Sequence, residues 1–217
     1  MTRMRNLLYA VLAIALGGFL TVGLPGSPIP YAAAEEVKEA DSTAIVEMVL
    51  GDENAPVEII EYASFTCPHC ASFHQGPFKQ LKKDFIDTGK VKFVYREVYF
   101  DRFGLWASMI ARCAGPEKFF GMTELIYNDQ ANWSGAGGPG EIANELRKIG
   151  RLAGLDDEQL EACLMDADNA QALVTWYQEN AEEHGIQGTP SFIVNGEKVE
   201  NQAYDKFKAL IEAELGS

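Results

Sequence analysis

The sequence predicts an α/β fold whose strands are divided by a long helical insertion. Residues 57–62 and 91–98 are short runs, rich in β-branched side chains, with the pattern of strands, and a helical pattern separates them. Residues 103–184 contain no convincing strand and repeat apolar side chains at helical spacing. Two further strand patterns, at 191–194 and 198–200, precede a closing amphipathic helix. The predicted order is therefore strand, helix, strand, helical block, hairpin and helix.

Residues 1–34 have the pattern of an export signal. Arg3 and Arg5 precede an uncharged apolar stretch over residues 7–24, and the alanines at 32–34 supply small residues for cleavage. An uncleaved membrane anchor is the alternative, because the apolar stretch is close to the minimum length that crosses a bilayer. Both interpretations place the rest of the chain outside the cytoplasm.

The chain after the signal has a length suited to one domain that carries an insertion. We assign residues 35–56 to a polar leader with one short strand near 45–49. Residues 57–102 and 185–217 form the predicted core domain, and residues 103–184 form the helical insertion.

The helix after the first core strand follows a cysteine pair and is expected to bend once. Phe73, Phe78 and Leu81 recur at helical spacing, and Pro77 should kink the helix. A turn at Thr88-Gly89 then leads into the second strand.

The helical insertion and the final hairpin have their own signals. Helices are predicted from the apolar spacing of Trp106 with Cys113, over residues 141–152, after Asp156, and over residues 170–184. Asn195-Gly196 is the strongest short signal for a tight turn between two strands.

Acidic residues outnumber basic ones, 32 Asp and Glu against 18 Lys and Arg, for a net charge of −14. This balance disfavours nucleic acid and anionic membrane surfaces as partners. All four cysteines follow the signal, in a compartment where disulfides form and persist. Disulfide chemistry is therefore open to each of them.

The segment FTCPHCASFH, residues 65–74, places two cysteines where a strand meets a helix. Cys67 would lie at the helix N-terminus, where unpaired N–H groups and the helix dipole favour negative charge. Pro68 suits the first helical turn, and a protonated His69 would add positive charge beside Cys67. Cys70 lies one turn further along the same face and can close a disulfide. The pattern favours a stabilised Cys67 thiolate and a disulfide that other thiols attack readily.

Two other interpretations of the cysteine pair remain open. A zinc site would draw on His69 and His74, but Cys113 and Cys163 are too distant in sequence to supply a second ligand pair at short spacing. An inert structural disulfide is disfavoured because a strand–helix junction exposes the pair. We expect no metal and no cofactor.

The motif CPHC within EYASFTCPHCASFH resembles the active-site segment of the DsbA-like thiol–disulfide oxidoreductases of the bacterial periplasm. The resemblance extends over about residues 50–215 and implies a thioredoxin fold with a helical insertion between the second and third core strands. It also implies a periplasmic location, attack through Cys67, resolution by Cys70, and reoxidation by a DsbB-like membrane partner.

The resemblance implies roles for two further places. Gly188-Thr189-Pro190 precedes a strand and matches the family's cis-proline loop, whose backbone at Thr189 would pair with an extended substrate segment. Many DsbA proteins carry valine at the Thr189 position, and this chain departs from them there. Glu61 matches the family's buried glutamate, which suits it to exchange a proton with Cys70. A surface-facing glutamate is the alternative.

The second pair of cysteines lies in the helical insertion. Cys113 and Cys163 occupy predicted core-facing stripes, and we expect a structural disulfide between them, with two buried free thiols as the alternative. Residues 135–140, GAGGPG, fit a nucleotide-binding glycine pattern but follow no strand, which indicates a loop. His74 and His184 are interpreted as surface or packing residues.

The sequence thus predicts an exported oxidase that donates the Cys67–Cys70 disulfide to reduced, unfolded exported proteins. A periplasmic isomerase or reductase is the enzymatic alternative, and a redox-inactive chaperone or binding module is an alternative of another class. Isomerases of the family are dimers with an added N-terminal module. Residues 35–56 are too short and too polar to form such a module. We therefore expect a monomer.

Overall fold

The computed structural model describes residues 45–216, so the predicted export signal lies outside the described residues. A five-stranded sheet runs through this part of the chain in the order β1-β3-β2-β4-β5. The strands are β1 (Met48–Leu50), β2 (Val57–Ala63), β3 (Val91–Glu97), β4 (Ser191–Val194) and β5 (Glu197–Glu200). Strands β2 and β3 are parallel, and the other neighbouring pairs are antiparallel.

The central strands β2 and β3 are buried on both faces. In β2, Val57 and Ile59 belong to the main core, whereas Ile60 and Tyr62 belong to a smaller cluster on the opposite face. The sequences of strands that are covered on both faces are nearly continuous runs of apolar residues. This explains why apolar and polar residues do not alternate regularly in β2. Glu61, in the middle of this run, is fully buried.

Helices lie in the intervals where the sequence pattern predicted them, and two more lie within residues 116–134, where only a helical block was predicted. They are α1 (Pro68–Gln75), α2 (Pro77–Leu81), α3 (Arg102–Cys113), α4 (Pro116–Asn128), α5 (Gln130–Ser134), α6 (Pro139–Leu152), α7 (Asp157–Met165), α8 (Ala167–Glu183) and α9 (Tyr204–Leu215). A π-helical turn, Lys82–Ile86, continues α2.

Three local signals account for helix boundaries. Gly76 ends α1 and Pro77 begins α2, so the predicted kink is a complete break. Asp156 caps α7 in a capping box with Gln159, at the predicted acidic start. The hairpin turn has positive φ at Asn195 (46°) and Gly196 (87°), as a tight two-residue turn requires.

The helical insertion shares one continuous core with the sheet. Phe93 and Tyr95 of β3 belong to the same cluster of buried side chains as Phe119 of α4 and Leu146 of α6. The α/β fold with an inserted helical block, as predicted, is therefore built around one main apolar core, with a smaller cluster on the opposite face of the sheet. Within residues 45–216, no helix is long and apolar enough to cross a membrane.

Candidate redox-active site

Cys67 lies at the point where β2 leads into α1. Its backbone is extended (φ −84°, ψ 117°), and it forms the N-cap of α1, with Pro68 in the first turn. The backbone N–H of Cys70 donates to Cys67 Sγ at 3.3 Å. Sulfur thus takes the place of the oxygen that usually caps a helix, and it receives the N–H groups that favour negative charge.

These contacts lower the pKa of the Cys67 thiol to about 5. The Cys70 side chain, hydrogen-bonded to Sγ, is the largest cause, and it outweighs the opposing effect of burial. The side chain of Thr189 and the backbone groups of Cys70 and His69 lower it further. Residue 69 therefore acts on the thiol through its backbone, whereas the sequence pattern suggested the charge of its imidazole. Cys67 is a thiolate at neutral pH.

Cys70 is in the opposite situation. Its side chain has no exposed surface, whereas Cys67 keeps 8%. Burial, the hydrogen bond with Cys67 and the charge of Glu61 raise the pKa of the Cys70 thiol far above its usual range. The two sulfurs are thus separated in both exposure and protonation, as an attacking and a resolving cysteine require.

The loop before β4 packs against the attacking sulfur. The Thr189–Pro190 peptide bond is cis, and Cys67 Sγ lies 3.5 Å from the carbonyl oxygen of Thr189, to which it donates a hydrogen bond only when the thiol is protonated. The Thr189 hydroxyl is buried and has no geometric hydrogen-bond partner among the described residues, so it is free to donate to a thiolate. The loop predicted to border the site therefore contacts Cys67 directly.

An open groove extends from this loop along the protein surface. It has a volume of about 420 Å³ and is lined by His69, Gly188, Thr189 and Lys198, among others. An extended peptide can lie in such a groove and form backbone hydrogen bonds, so that its own cysteine reaches Cys67.

Glu61 of β2 and His74 of α1 form a buried polar pair between the strand and the helix. Glu61 is fully buried, His74 is 5% exposed, and Nε2 of His74 lies 2.8 Å from Oε2 of Glu61. The other carboxylate oxygen of Glu61, Oε1, has no hydrogen-bond partner within residues 45–216. The interpretation of His74 as a surface or packing residue therefore misses its contact with Glu61.

Gln130 of α5 also holds the site, and no sequence pattern points to it. Its Nε2 donates to the carbonyl oxygens of Phe65 at 2.7 Å and Cys67 at 3.0 Å. It thus fixes the backbone that positions Cys67, although it lies 63 residues further along the chain. The one local signal is a polar side chain within a helical segment. Such side chains are too common to reveal this contact.

The second cysteine pair lies apart from this site in the helical insertion. Cys113 of α3 and Cys163 of α7 form a disulfide, with their Cα atoms 6.0 Å apart. In the part of the chain that the structure describes, no three His, Cys, Asp or Glu side chains come together as a possible metal site.

Comparison with known proteins agrees with this geometry. A family model described as "Thioredoxin" matches residues 43–213. A Rickettsia bellii protein with the provisional name protein-disulfide oxidoreductase is 35% identical over 171 residues, 76% of this chain and 63% of that protein. This chain thus spans less than two thirds of that relative.

Two more relatives are matched over most of both chains. Disulfide bond formation protein D of Bacillus subtilis is 32% identical over 77% of this chain and 76% of that protein. The crystal structure of α-DsbA1 from Wolbachia pipientis has a TM-score of 0.72 and 26% identity over 82% of this chain and 96% of its own. The thioredoxin fold implied by the sequence is confirmed. The chain belongs to the thioredoxin family, among its DsbA-like protein-disulfide oxidoreductases.

Proposed function

We propose that this protein is an exported thiol:disulfide oxidase that transfers the Cys67–Cys70 disulfide to reduced substrate proteins. The observation that carries the proposal is the placement of Cys67 Sγ as the N-cap of α1, 3.3 Å from the backbone N of Cys70, beside a completely buried Cys70. This placement lowers the pKa of Cys67 to about 5 and raises that of Cys70. A thiolate at position 67 stabilises the reduced form of the pair at neutral pH. Each unit by which the pKa is lowered makes the disulfide more oxidising by about 30 mV.

The transfer begins when a substrate thiolate attacks Cys67 Sγ in the oxidised protein. The Cys67–Cys70 bond breaks, a bond between Cys67 and the substrate forms, and Cys70 leaves as a thiolate. Because the pKa of Cys70 is strongly raised, this sulfur takes up a proton at once, and Glu61 is the adjacent acid that supplies it.

A second substrate thiolate then attacks the substrate sulfur of the mixed disulfide. Cys67 leaves as a stable thiolate and needs no proton. The substrate now holds the new disulfide, and the protein holds two reduced cysteines. Two electrons have passed from the substrate to the Cys67–Cys70 pair.

The groove beside Thr189 and Pro190 supports polypeptides as the substrate class. An extended, unfolded segment can pair with the backbone of Thr189, whereas a folded domain presents few such segments. Reduced proteins arriving in the periplasm fit this description. A DsbB-like membrane protein is the proposed reoxidant, consistent with the DsbA-like family of the chain.

Trapping experiments test the roles of the two cysteines. Cys67→Ser should abolish transfer, whereas Cys70→Ser should accumulate a mixed disulfide with substrate, because the buried sulfur that reverses it is missing. Non-reducing gels with a disulfide-bonded peptide, whose sulfur–sulfur bond the Cys67 thiolate attacks, provide the measurement. Equal trapping by both variants would contradict the assignment.

Two ribonuclease substrates separate an oxidase from an isomerase. We expect the protein, as a monomer, to oxidise reduced ribonuclease quickly and to reshuffle scrambled ribonuclease poorly. Efficient unscrambling by a stable dimer in light scattering would favour a periplasmic isomerase. Failure in both assays would favour a redox-inactive binding module.

A further inference from the structure

A cavity on the protein surface lies away from the substrate groove. It has a volume of about 300 Å³ and opens between α2 and α4. Leu50 of β1, Phe78 of α2 and Phe120 of α4 are among the residues that line it. Within residues 45–216, no residue lines both this cavity and the groove beside Thr189 and Pro190. A molecule bound in the cavity would therefore leave the groove open to substrate.

Aromatic rings form much of the cavity wall. The ring of His74 stacks on that of Tyr127, with ring centres 4.5 Å apart, and lies 4.6 Å from that of Phe78. Phe93 of β3 contacts the rings of Phe78 at 4.9 Å and Phe120 at 6.3 Å, and so supports both from the sheet. All of these rings except that of Phe93 line the cavity. Because aromatic rings stack or meet edge to face at such distances, the wall suits a flat aromatic ligand.

The volume of the cavity limits the ligand to a small molecule. An apolar cavity of about 150 Å³ is large enough for benzene, and ligand pockets in proteins begin at about 300 Å³. A single ring with one or two small substituents therefore fits this cavity. A polypeptide segment of several residues does not.

A hydroxyl group without a partner lies in the cavity wall. Thr123 of α4 lines the cavity and is 1% exposed, and its Oγ1 has no hydrogen-bond partner in the part of the chain that the structure describes. Threonine within a helix often donates its hydroxyl to the carbonyl oxygen four residues earlier, as Thr175 does with Gln171 at 3.1 Å. The hydroxyl of Thr123 remains available instead. Since a buried hydroxyl without a partner is costly, a ligand that supplies the partner gains affinity.

The charged residues of the lining disfavour an ion inside the cavity. Lys79 of α2 and Glu124 of α4 form an exposed pair at 3.5 Å, which costs little to open, and Lys82 is paired with Asp87. Glu117 is also exposed. An ion of either sign in the interior would find no buried counter-ion among these lysine and glutamate side chains, and a buried unpaired charge is costly. The lining therefore favours a neutral ligand.

We propose that this cavity is a binding site for a small neutral phenol, whose ring lies against Phe78 and Phe120 and whose hydroxyl is bonded to Thr123. A phenol hydroxyl can either donate to the threonine hydroxyl or accept from it. Water competes for the cavity, but water beside apolar rings is poorly ordered, and its displacement by an aromatic ligand gains affinity. The site goes beyond the proposed oxidase function and does not depend on it.

The probe is 4-methylphenol, and toluene, which lacks the hydroxyl, is its matched control. Binding to the oxidised full-length protein is followed by nuclear magnetic resonance of labelled leucine and threonine methyl groups. For a ligand of this size we expect a dissociation constant of about 1 mM or below. The methyl signals of Leu50 and Thr123 should shift, and that of Thr189 should not. No binding, or a shift of Thr189 instead, would overturn the proposal.

Charge is tested with a third probe of similar shape. The anion 4-methylbenzoate should bind at least about tenfold more weakly than 4-methylphenol, because the cavity has no buried cation to pair with it. An anion that binds as tightly as the phenol would show that the site does not select neutral ligands.

The hydroxyl contact is tested by Thr123→Val, which keeps the shape of the side chain. The readout is the ratio of the affinity for 4-methylphenol to that for toluene. This ratio should fall about tenfold in the variant, the effect of one lost hydrogen bond, because toluene never made the contact. The same ratio in Thr123→Ala serves if the valine variant does not fold. An unchanged ratio would contradict the proposal.

A second pair of variants tests the location of the site. Gly121 lies on the exposed side of α4 and lines the cavity, and a Cβ atom there meets no other atom within 4 Å. Gly121→Leu should cover the opening and abolish binding of both 4-methylphenol and toluene. Gly121→Ala also gains helix propensity but leaves the opening clear, and it should bind both as the wild type does. Equal binding by the two variants would place the ligand elsewhere and overturn the proposal.

Discussion

At the residue scale, the site depends on giving two identical side chains opposite properties. Cys67 receives hydrogen bonds at a helix N-terminus, and Cys70, one turn later, is buried beside the charge of Glu61. The pKa of the first falls and that of the second rises, which suits the first sulfur for the proposed attack and the second for the proposed resolution of the mixed disulfide. The hydrogen bond with the Cys70 side chain is the largest cause of the first effect, and tertiary burial is the largest cause of the second.

The first prediction concerns the titration of Cys67. Thiolate absorbance of the reduced protein should rise with a midpoint near pH 5, whereas an ordinary thiol titrates near pH 8.5. Because the folded-state pKa lies below the unfolded one, the thiolate stabilises the folded reduced form fully above about pH 8.5, and this contribution is lost as the pH falls through 5.

Denaturation of the reduced protein between pH 4 and 9 tests the same linkage. The free energy of unfolding should rise with pH relative to that of reduced Cys67→Ser, which lacks the titrating group. Parallel curves for the two proteins would show that Cys67 titrates normally.

The second prediction concerns Gln130. Replacing it with leucine leaves the carbonyl oxygen of Phe65 without its donor inside the protein, so Gln130→Leu should reduce the free energy of unfolding by about 1–3 kcal/mol. Gln75→Leu is the matched control, because the exposed Gln75 donates to a single carbonyl oxygen, that of Tyr127. Equal decreases in the free energy of unfolding of the two variants, measured by urea denaturation, would mean that Gln130 does not hold the site.

At the scale of elements, a buried ion pair joins the sheet to the helical insertion. Arg112 of α3 binds Glu97 of β3 through two hydrogen bonds, Nε to Oε1 at 2.6 Å and Nη2 to Oε2 at 2.7 Å. Ser108 adds a third bond to the same carboxylate. Both partners of the ion pair are almost fully buried, so each depends on the other for compensation of its charge.

The third prediction follows from this burial. Arg112→Met should cost about 3–5 kcal/mol, because it leaves the Glu97 carboxylate buried and unpaired. Arg151→Met breaks an exposed pair with Asp157 and should cost less than about 1 kcal/mol. Thermal or urea denaturation compares the two variants. Similar decreases in the free energy of unfolding of the two variants would show that the Glu97–Arg112 pair behaves like a surface pair.

At the scale of the whole molecule, a disulfide links two helices of the insertion, and apolar contacts join the insertion to the sheet. The Cys113–Cys163 disulfide closes a separation of 50 residues within the insertion. The helices that it joins also contribute Ile110 and Leu160 to the core that contains Phe93 of the sheet. The disulfide therefore links two helices that pack on the same core as the sheet.

The fourth prediction tests the contribution of this disulfide. Replacing Cys113 and Cys163 together by alanine should lower the free energy of unfolding by about 4 kcal/mol, the chain-entropy value for a loop of this size. Reducing only Cys67 and Cys70 in the wild type should leave the other bond intact, as mass spectrometry after alkylation under denaturing conditions would show. Two freely alkylated thiols at 113 and 163 would contradict the bond.

Much of the fold is encoded by local patterns that the sequence shows directly. The apolar run of β2, the Gly76-Pro77 break, the cap at Asp156 and the Asn195-Gly196 turn each depend on residues within one or two turns of chain. The cysteine motif is equally local, because a helix N-terminus alone supplies N–H groups to Cys67. The individual helices α4 and α5 were not predicted, because these residues were assigned only to the helical block as a whole.

The sequence by itself determined the α/β order and the place of Cys67 and Cys70 at a strand–helix junction, and its resemblance to a known family implied the loop at Pro190. Only the tertiary structure decided which groups surround the buried side of the site. Gln130 reaches Cys67 across 63 residues, and His74 reaches Glu61 because α1 folds back over β2. Such contacts depend on how helices pack on a sheet, and side chains far apart in the chain leave no shared local pattern to reveal them.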